Sequence, residues 1–511
     1  MMRLAAMMPN PVMSQAMSQA LENVRELRKS ILGAAIPDEH IWFRNLLLGI
    51  VNCALLDYES VELGVQKSIC LAALGSRNLL ELKVIATYVL ASEKNVNGGS
   101  YLGVRISAVV QGIDGNFYGT TQGGGGDDSL CGGGCGTVFR ITLGGTLTTL
   151  YNFCSQGGSD CTDGREPIGG LVQATDGNFY GTTLGGGANG EGTVFKISPA
   201  TPYTLTTLYS FCSQGGSDCT DGADPTATLV QATDGNFYGT TGLGGGDNSF
   251  SCDEGRGCGT VFRITPSGTL TTLHSFDYAD GYGPTGALVQ TPDGNFYGAT
   301  LSGGTPGYGT VFKISPTLPY TLTTVYNFCS QGGSACTDGR TPFGGLVKAT
   351  DGRFYWTTNA GGVNIDCFGS ACGTVFRITP GGTLTTLHSF DYTDGYGPSA
   401  GLVQGTDGKF YGTTYEGGAS DDGTVFSLSV GIGPFVETLP AFGKVGTPVH
   451  ILGTNLTGTT SVTFDGTPAT FTVVSKTLVF TNVPAGATTG TVQVVTPGGT
   501  LSSNVNFQVL P

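Results

Sequence analysis

Charge is scarce in this 511-residue chain: Asp, Glu, Lys and Arg together make up only 12% of it. The little there is leans acidic, with 38 acidic against 23 basic residues and a net charge of −15. Such a surface repels a phosphate backbone, which excludes nucleic acid as a natural partner. Histidine occurs four times, and no His-Glu-x-x-His string is present, so the familiar metalloprotease signature is missing. No Gly-Lys-Ser/Thr follows any glycine run, which leaves a phosphate cradle without support. No Cys-x2-Cys pair occurs, which argues against zinc. The longest apolar run in a helix-like pattern, residues 45–56, is too short to span a bilayer. No clean signal peptide is visible, although residues 67–75 resemble the start of one.

What the chain has in abundance is glycine, 86 residues, without the Gly-X-Y period of collagen. Apolar residues reach 39% and recur in pattern, which excludes a disordered chain. The string Asp-Gly-x-Phe-Tyr repeats six times, with Asp at positions 114, 176, 234, 293, 351 and 407. Each unit carries four β-rich runs bounded by turn residues, here called strands a, b, c and d. Asp-Gly between a and b predicts a tight type I′ hairpin, and the c–d connection is also short. A four-stranded meander repeated every 56–62 residues is the pattern of a propeller blade. The expected architecture is therefore all-β: a six-bladed β-propeller over residues 81–430, then an immunoglobulin-like β-sandwich over 434–511. A short helical segment over 1–80 precedes them, because Leu21, Val24, Leu27, Ile31 and Leu32 follow helical spacing. Unit six lacks a strand d, and the strand-like run 82–90 is expected to supply it and so avoid an open edge.

Alternating strand direction puts the a–b and c–d turns on one face and the b–c and d–a loops on the other. The second face holds all the long insertions and twelve of the 14 cysteines. These form six close pairs: Cys131 with Cys135, Cys154 with Cys161, Cys212 with Cys219, Cys252 with Cys258, Cys329 with Cys336 and Cys367 with Cys372. A unit that lacks one member of a pair lacks both, as disulfides predict, and disulfides imply an oxidising compartment and hence an extracellular or cell-surface location. Closing an eight-residue loop is worth roughly 2.5 kcal/mol. Cross-links between neighbouring loops are an alternative for units two/three and four/five. In that scheme the unit-one pairs are expected to have no neighbours, so local pairing is preferred.

Long loops on a rigid scaffold are where binding resides. Tyr278, Tyr282, Tyr308, Phe368, Tyr392 and Tyr396 fall in them, and rings beside Asp and Asn suit stacking on sugars. Asp163, Asp221, Asp280, Asp338 and Asp394, each followed by Gly, read first as Asx turns. Calcium, bound by such oxygen-rich loops, is the one cofactor they suggest; residues 123–130 fit the Gly-Gly-x-Gly-x-Asp pattern once. His274 and His388 stand in the strand-d slot that Tyr209 fills elsewhere and are expected to be structural. No carboxylate pair stands out as unique, so no catalytic residue is assigned.

The six units, with their Asp-Gly-Asn-Phe-Tyr-Gly-Thr-Thr, Gly-Thr-Val-Phe-Lys-Ile and Leu-Thr-Thr-Leu runs, resemble the Gloeo/Verruco tandem repeat over about residues 82–430. Trp356 departs from the pattern by replacing the strand-b Gly, and Ala299 departs by following that Gly in unit four. The resemblance implies exported bacterial proteins with varied C-terminal anchors and brings no catalytic residues; the usual anchor is expected to be absent or replaced here. Residues 434–511 resemble an IPT/TIG domain through Gly446, the run 451–456, the run 462–464, Val483, Pro484, the run 489–492 and the run 496–499. The expected function is non-catalytic recognition or scaffolding, binding a glycan or cell-surface protein through the long-loop face. An extracellular polysaccharide hydrolase or lyase is one alternative, and a structural surface-layer or matrix component is another.

Overall fold

The computed structural model describes residues 109–511 apart from 126–130, 143–144, 247–251, 253–254, 285, 368–370, 420 and 422. The expected helical segment 1–80 and the strand at 82–90 lie outside the described residues.

Each Asp-Gly motif folds the chain back between a two-residue strand a and strand b. In unit one these are Val110–Gln111 and Phe117–Thr121. The turn differs from the expected type I′. Only its glycine takes positive φ, +80° at Gly115 and +84° at Gly177, while the aspartates do not. The Gly115 amide donates to the Gly112 carbonyl, and the Gly112 amide donates to the Asn116 carbonyl. This is a turn followed by a left-handed glycine, a looser hairpin that asks nothing unusual of Asp. Asp114 instead accepts hydrogen bonds from the Asn116 amide at 3.1 Å, its side chain at 2.7 Å and the Tyr118 hydroxyl at 2.8 Å.

Strands c (Thr137–Ile141) and d (Leu147–Asn152) complete an antiparallel sheet in unit one. Units two, three and four repeat this four-stranded order. Unit five adds a fifth strand, Arg340–Pro342, and unit six has three strands, Val403–Gln404, Phe410–Thr413 and Val425–Leu428. The result is all-β and propeller-like.

Strand b is buried on both faces in units one to five, because neighbouring sheets stack on one another. The Phe-Tyr dipeptide makes this joint: Tyr points toward the following unit and Phe toward the preceding one. Tyr118 stacks on Phe179 at 4.2 Å, Tyr180 on Phe237 at 4.0 Å, Tyr238 on Phe296 at 4.2 Å and Tyr355 on Phe410 at 4.1 Å. A second edge-to-face row links the phenylalanine after strand d with strand c of the next unit, as in Phe211–Phe262 at 5.2 Å. Such pairs contribute beyond the area they bury. The ladder ends at unit six. Tyr411 is 37% exposed and Val425 48%, whereas the matching tyrosines and valines of units one to five are at most 2% exposed.

Buried threonines join strands b and c. The Thr183 and Thr193 hydroxyls meet at 2.8 Å, the Thr183 hydroxyl donates to the Gly185 carbonyl, and it accepts from the Thr193 amide. The preceding threonine reaches the next unit, as Thr182 does to the Ala227 carbonyl at 3.3 Å. Ala299 has no hydroxyl to make this bond. At Gly181 the Phe195 ring crosses the backbone, and a Cβ there would lie 2.7 Å from it. Trp356 occupies the same slot in unit five, where its indole runs alongside Phe376 at 6.4 Å and donates to the Phe343 carbonyl at 2.8 Å.

Gly192 opens strand c at φ +95°, where a Cβ would sit 2.4 Å from the Thr183 carbonyl oxygen and 2.7 Å from Pro225. Gly192→Ala combines left-handed strain with overpacking, so it should destabilise by about 3 kcal/mol. Urea unfolding checks this; a cost under about 1 kcal/mol would show that the joint can relax.

Beyond the repeats, two further four-stranded sheets share one apolar cluster. One has the strand order Glu437–Leu439, Pro448–Leu452, Leu478–Asn482, Phe471–Ser475. The other runs Thr467–Pro468, Ser461–Phe464, Val492–Thr496, Gly499–Ser502. Period-two alternation puts Val449, Ile451 and Val479 of the first against Val462, Phe464, Val492 and Val494 of the second.

Candidate functional site: the long-loop face

The d–a loops are held by one carboxylate each. Asp163 is 1% exposed and accepts from the Tyr151 hydroxyl at 2.7 Å, the Ser155 amide at 3.0 Å, the Ser155 hydroxyl at 3.1 Å and the Gln156 amide at 3.3 Å. Asp221 and Asp338 are bonded alike, to Tyr209 and Tyr326 and to the Ser-Gln pairs that follow them. The two short loops use histidine in place of tyrosine: His274 meets Asp280 at 2.7 Å and His388 meets Asp394 at 2.8 Å. The five aspartates considered as calcium ligands are thus engaged by their own loops. Among the described residues no three carboxylates converge as a metal site would require.

Burial comes first in raising the Tyr151 and Tyr326 hydroxyls from their ordinary value of 10 to about 12, and the Asp partners add to it. A raised tyrosine contributes stability that is complete below pH 10 and is lost as the pH climbs toward 12. Phenolate absorbance followed together with circular dichroism should therefore show these rings ionising with unfolding. Ionisation near pH 10 in a still-folded protein would contradict this.

Each d–a loop lies between two b–c loops. The Glu166 amide donates to the Cys135 carbonyl of the preceding b–c loop at 2.8 Å, while Arg165 pairs with Gly185 of the next. Ala223/Leu243, Tyr282/Ser302 and Tyr396/Glu416 repeat the second contact. All six cysteine pairs are disulfides within their own loops. In the d–a loops, Cys154 is bonded to Cys161, Cys212 to Cys219 and Cys329 to Cys336, with Cα–Cα distances of 4.2, 4.1 and 4.2 Å. In the b–c loops, Cys131 is bonded to Cys135, Cys252 to Cys258 and Cys367 to Cys372, at 5.2, 4.9 and 5.3 Å. Cys258 and Cys372 are fully buried and Cys219 is 8% exposed, so these sulfurs close their loops from within and offer nothing to a ligand. No bridge joins Cys212 or Cys219 to Cys252 or Cys258, or Cys329 or Cys336 to Cys367 or Cys372, which disposes of the cross-linked alternative for units two/three and four/five.

The expectation that the unit-one pairs stand alone does not hold. The unit-one pairs do have neighbours: the sulfur atoms of Cys131, Cys135 and Cys161 lie within 4.8 Å of one another. The b–c loop of unit one packs on the d–a loop that follows it, a contact that loop order along the chain does not reveal.

The candidate aromatics divide. Tyr278 and Tyr282 are half-buried against the cluster around Phe276, and Tyr392 and Tyr396 against the one around Phe390. Tyr308 is exposed, with the Arg340 guanidinium 5.7 Å from its ring centre. Phe368 lies outside the described residues. The structure brings Tyr392 and Tyr396 together at 6.4 Å, with the Tyr392 hydroxyl donating to Asp421. That bond is the largest cause pushing the Tyr392 hydroxyl up to about 12. Sequence reasoning missed Tyr415, which is 64% exposed and whose amide donates to the Tyr396 carbonyl at 3.0 Å. The available signal was positional: unit six alone puts an aromatic directly after the strand-b Thr-Thr pair, where other units have Gln122, Leu184, Gly242, Leu301 and Asn359. A second concave place lies on the outer side of the C-terminal sheet. There a depression of about 320 Å³ is lined by Pro448, Thr472, Asn482 and the stacked His450–Phe480 pair. Burial lowers the His450 pKa from its ordinary 6.5.

The Gloeobacter/Verrucomicrobia repeat matches residues 86–255 and again 251–472. The chain belongs to this repeat family. Its tandem matches run through all six units and into the C-terminal sheets. No protein of curated function matches the chain. Among solved structures, it is similar to a luciferin-regenerating enzyme at 11% identity and TM-score 0.37, covering 65% of this chain and 98% of that one. It is also similar to an auxiliary nutrient binding protein from Bacteroides ovatus at 13% and 0.35, covering 58% and 65%. A puromycin hydrolase stands at 12% and 0.35, covering 69% and 59%.

Proposed function

We propose that this repeat protein is an exported or cell-surface, non-catalytic recognition protein that binds a glycan or protein partner through its long-loop face. In this reading the six units close as a six-bladed propeller over residues 81–430, with the run 82–90 completing blade six. Residues 434–511 form an IPT/TIG, immunoglobulin-like spacer or second contact. The observation that carries the proposal is the Tyr392–Tyr396 ring pair beside Asp421, with the exposed Tyr415 tied to Tyr396 through the backbone. Rings next to fixed polar acceptors stack on the apolar faces of sugars while the acceptors take their hydroxyl groups. Six disulfides and the bridged loops support the reading by holding this face with little ordering cost on binding.

The competing reading is a polysaccharide hydrolase or lyase using acids of the same face. Incubating oxidised protein with a panel of soluble envelope and plant polysaccharides separates the two. Saturable binding without new reducing ends or unsaturated products is the expected result. Product formation abolished by Asp421→Asn or Glu416→Gln would overturn the proposal in favour of the enzyme.

A further inference from the structure

We infer that the four cysteines of unit one form a thiol–disulfide exchange site, whose substrate is a small or peptide thiol. The sulfur atoms of Cys131, Cys135 and Cys161 come from two different loops and lie within 4.8 Å of one another, and Cys161 is bonded to Cys154. Among the described residues no other three cysteine, histidine or carboxylate groups gather so closely. The loops are held in this relation by backbone. The Glu166 amide donates to the Cys135 carbonyl, and the Cys154 amide donates to the Gly164 carbonyl at 3.2 Å.

Access is graded. Cys135, Cys154 and Cys161 are 2%, 7% and 2% exposed, within one cluster that includes Tyr118 and Phe153, whereas Cys131 is half-buried at its edge. An incoming thiol therefore meets Cys131 first. Its thiolate forms a bond to the Cys131 sulfur, the Cys131–Cys135 bond breaks, and the electron pair leaves on Cys135. The Cys135 thiolate is then beside the Cys161 sulfur. It bonds to that atom, the Cys154–Cys161 bond breaks, and the electron pair leaves on Cys154, which takes a proton from water. Two disulfides and one thiol enter; the products are a mixed disulfide at Cys131, a bridge between the two loops from Cys135 to Cys161, and one thiol at Cys154. No oxidant or reductant is consumed. Holding attacker and target in neighbouring loops makes the second step unimolecular, and thiolate attack on a nearby disulfide is governed by that access.

The other disulfide clips serve as an internal comparison. Cys329–Cys336 closes a loop of the same sequence pattern as Cys154–Cys161, but the b–c loop of its own unit four carries no cysteine. Cys154→Ser in the full chain orphans Cys161. After alkylation of free thiols, peptide mass mapping should find the label on Cys131 or Cys135, with Cys161 bridged to the other. Cys329→Ser should keep its label on Cys336. A label on Cys161 with Cys131–Cys135 intact would overturn the inference. Should Cys154→Ser fail to fold, the unmodified protein treated with substoichiometric glutathione and quenched in acid gives the same test. The expected species carries glutathione on Cys131 together with a Cys135–Cys161 bridge. Glutathione on Cys131 with Cys154–Cys161 unchanged would overturn the inference, as would no adduct at all.

Discussion

Phe237→Ala should destabilise the protein by about 4 kcal/mol, the cost of removing a fully buried phenylalanine and leaving a cavity. Phe237 is 0% exposed, stacks on Tyr180 at 4.0 Å and sits in the cluster that joins units two and three. The matching change at the end of the ladder, Tyr411→Ala, should cost under about 1.5 kcal/mol. That ring is 37% exposed and its hydroxyl donates to Asp407 at 2.9 Å, and surface substitutions cost far less than core ones. Urea unfolding of both variants measures the difference. Equal costs would mean that Tyr411 is covered as thoroughly as its counterparts.

Asp338→Ala should cost about 3 kcal/mol or more, and Asp394→Ala about 1 kcal/mol. Removing the Asp338 carboxylate strands a tyrosine hydroxyl and two backbone amides that all point at a site 1% exposed, and stranded buried donors carry their full desolvation penalty. The Asp394 side chain is 43% exposed and its His388 partner 40%, so water replaces what the substitution removes. Thermal denaturation at neutral pH compares the two. Should they match, the tyrosine-anchored loops are more open to water than their geometry implies. The contrast also bears on function, since a loop face that melts before the sheets cannot present a preformed surface.

Period and punctuation made the repeats legible. Six Asp-Gly-x-Phe-Tyr strings predicted six sheets at fixed spacing, because a strand buried on both faces must spend its Phe and its Tyr on different neighbours. The joint appearance of cysteines in pairs pointed to disulfides for a similar reason: one bonded cysteine without its partner has no use. The turn type was not legible, since Asp-Gly suits a left-handed pair and equally a turn in which only Gly is left-handed. Contacts between loops were also hidden. Cys135 and Cys161 are 26 positions apart and belong to different strand connections, and only the packing of one loop on the next brings them together. At the candidate site, Tyr392 and Tyr396 were visible because they lie in one short loop. Tyr415 was not, because its backbone meets Tyr396 from another unit. The five loop aspartates read first as turn residues and also suggested calcium, because sequence shows carboxylates but not the loop amides that donate to them.

We propose that recognition belongs to the long-loop face. The most direct test is one binding isotherm, on whichever envelope glycan or protein the wild-type chain retains, repeated with two double variants. One changes the loop face, Tyr396→Ala with Tyr415→Ala, and the other changes the opposite turn face, Asn178→Ala with Asn236→Ala. The account predicts at least a tenfold weaker affinity for the first variant, about 1.4 kcal/mol, and wild-type affinity for the second. Loss confined to the turn-face variant, or equal loss from both in folded protein, would contradict it.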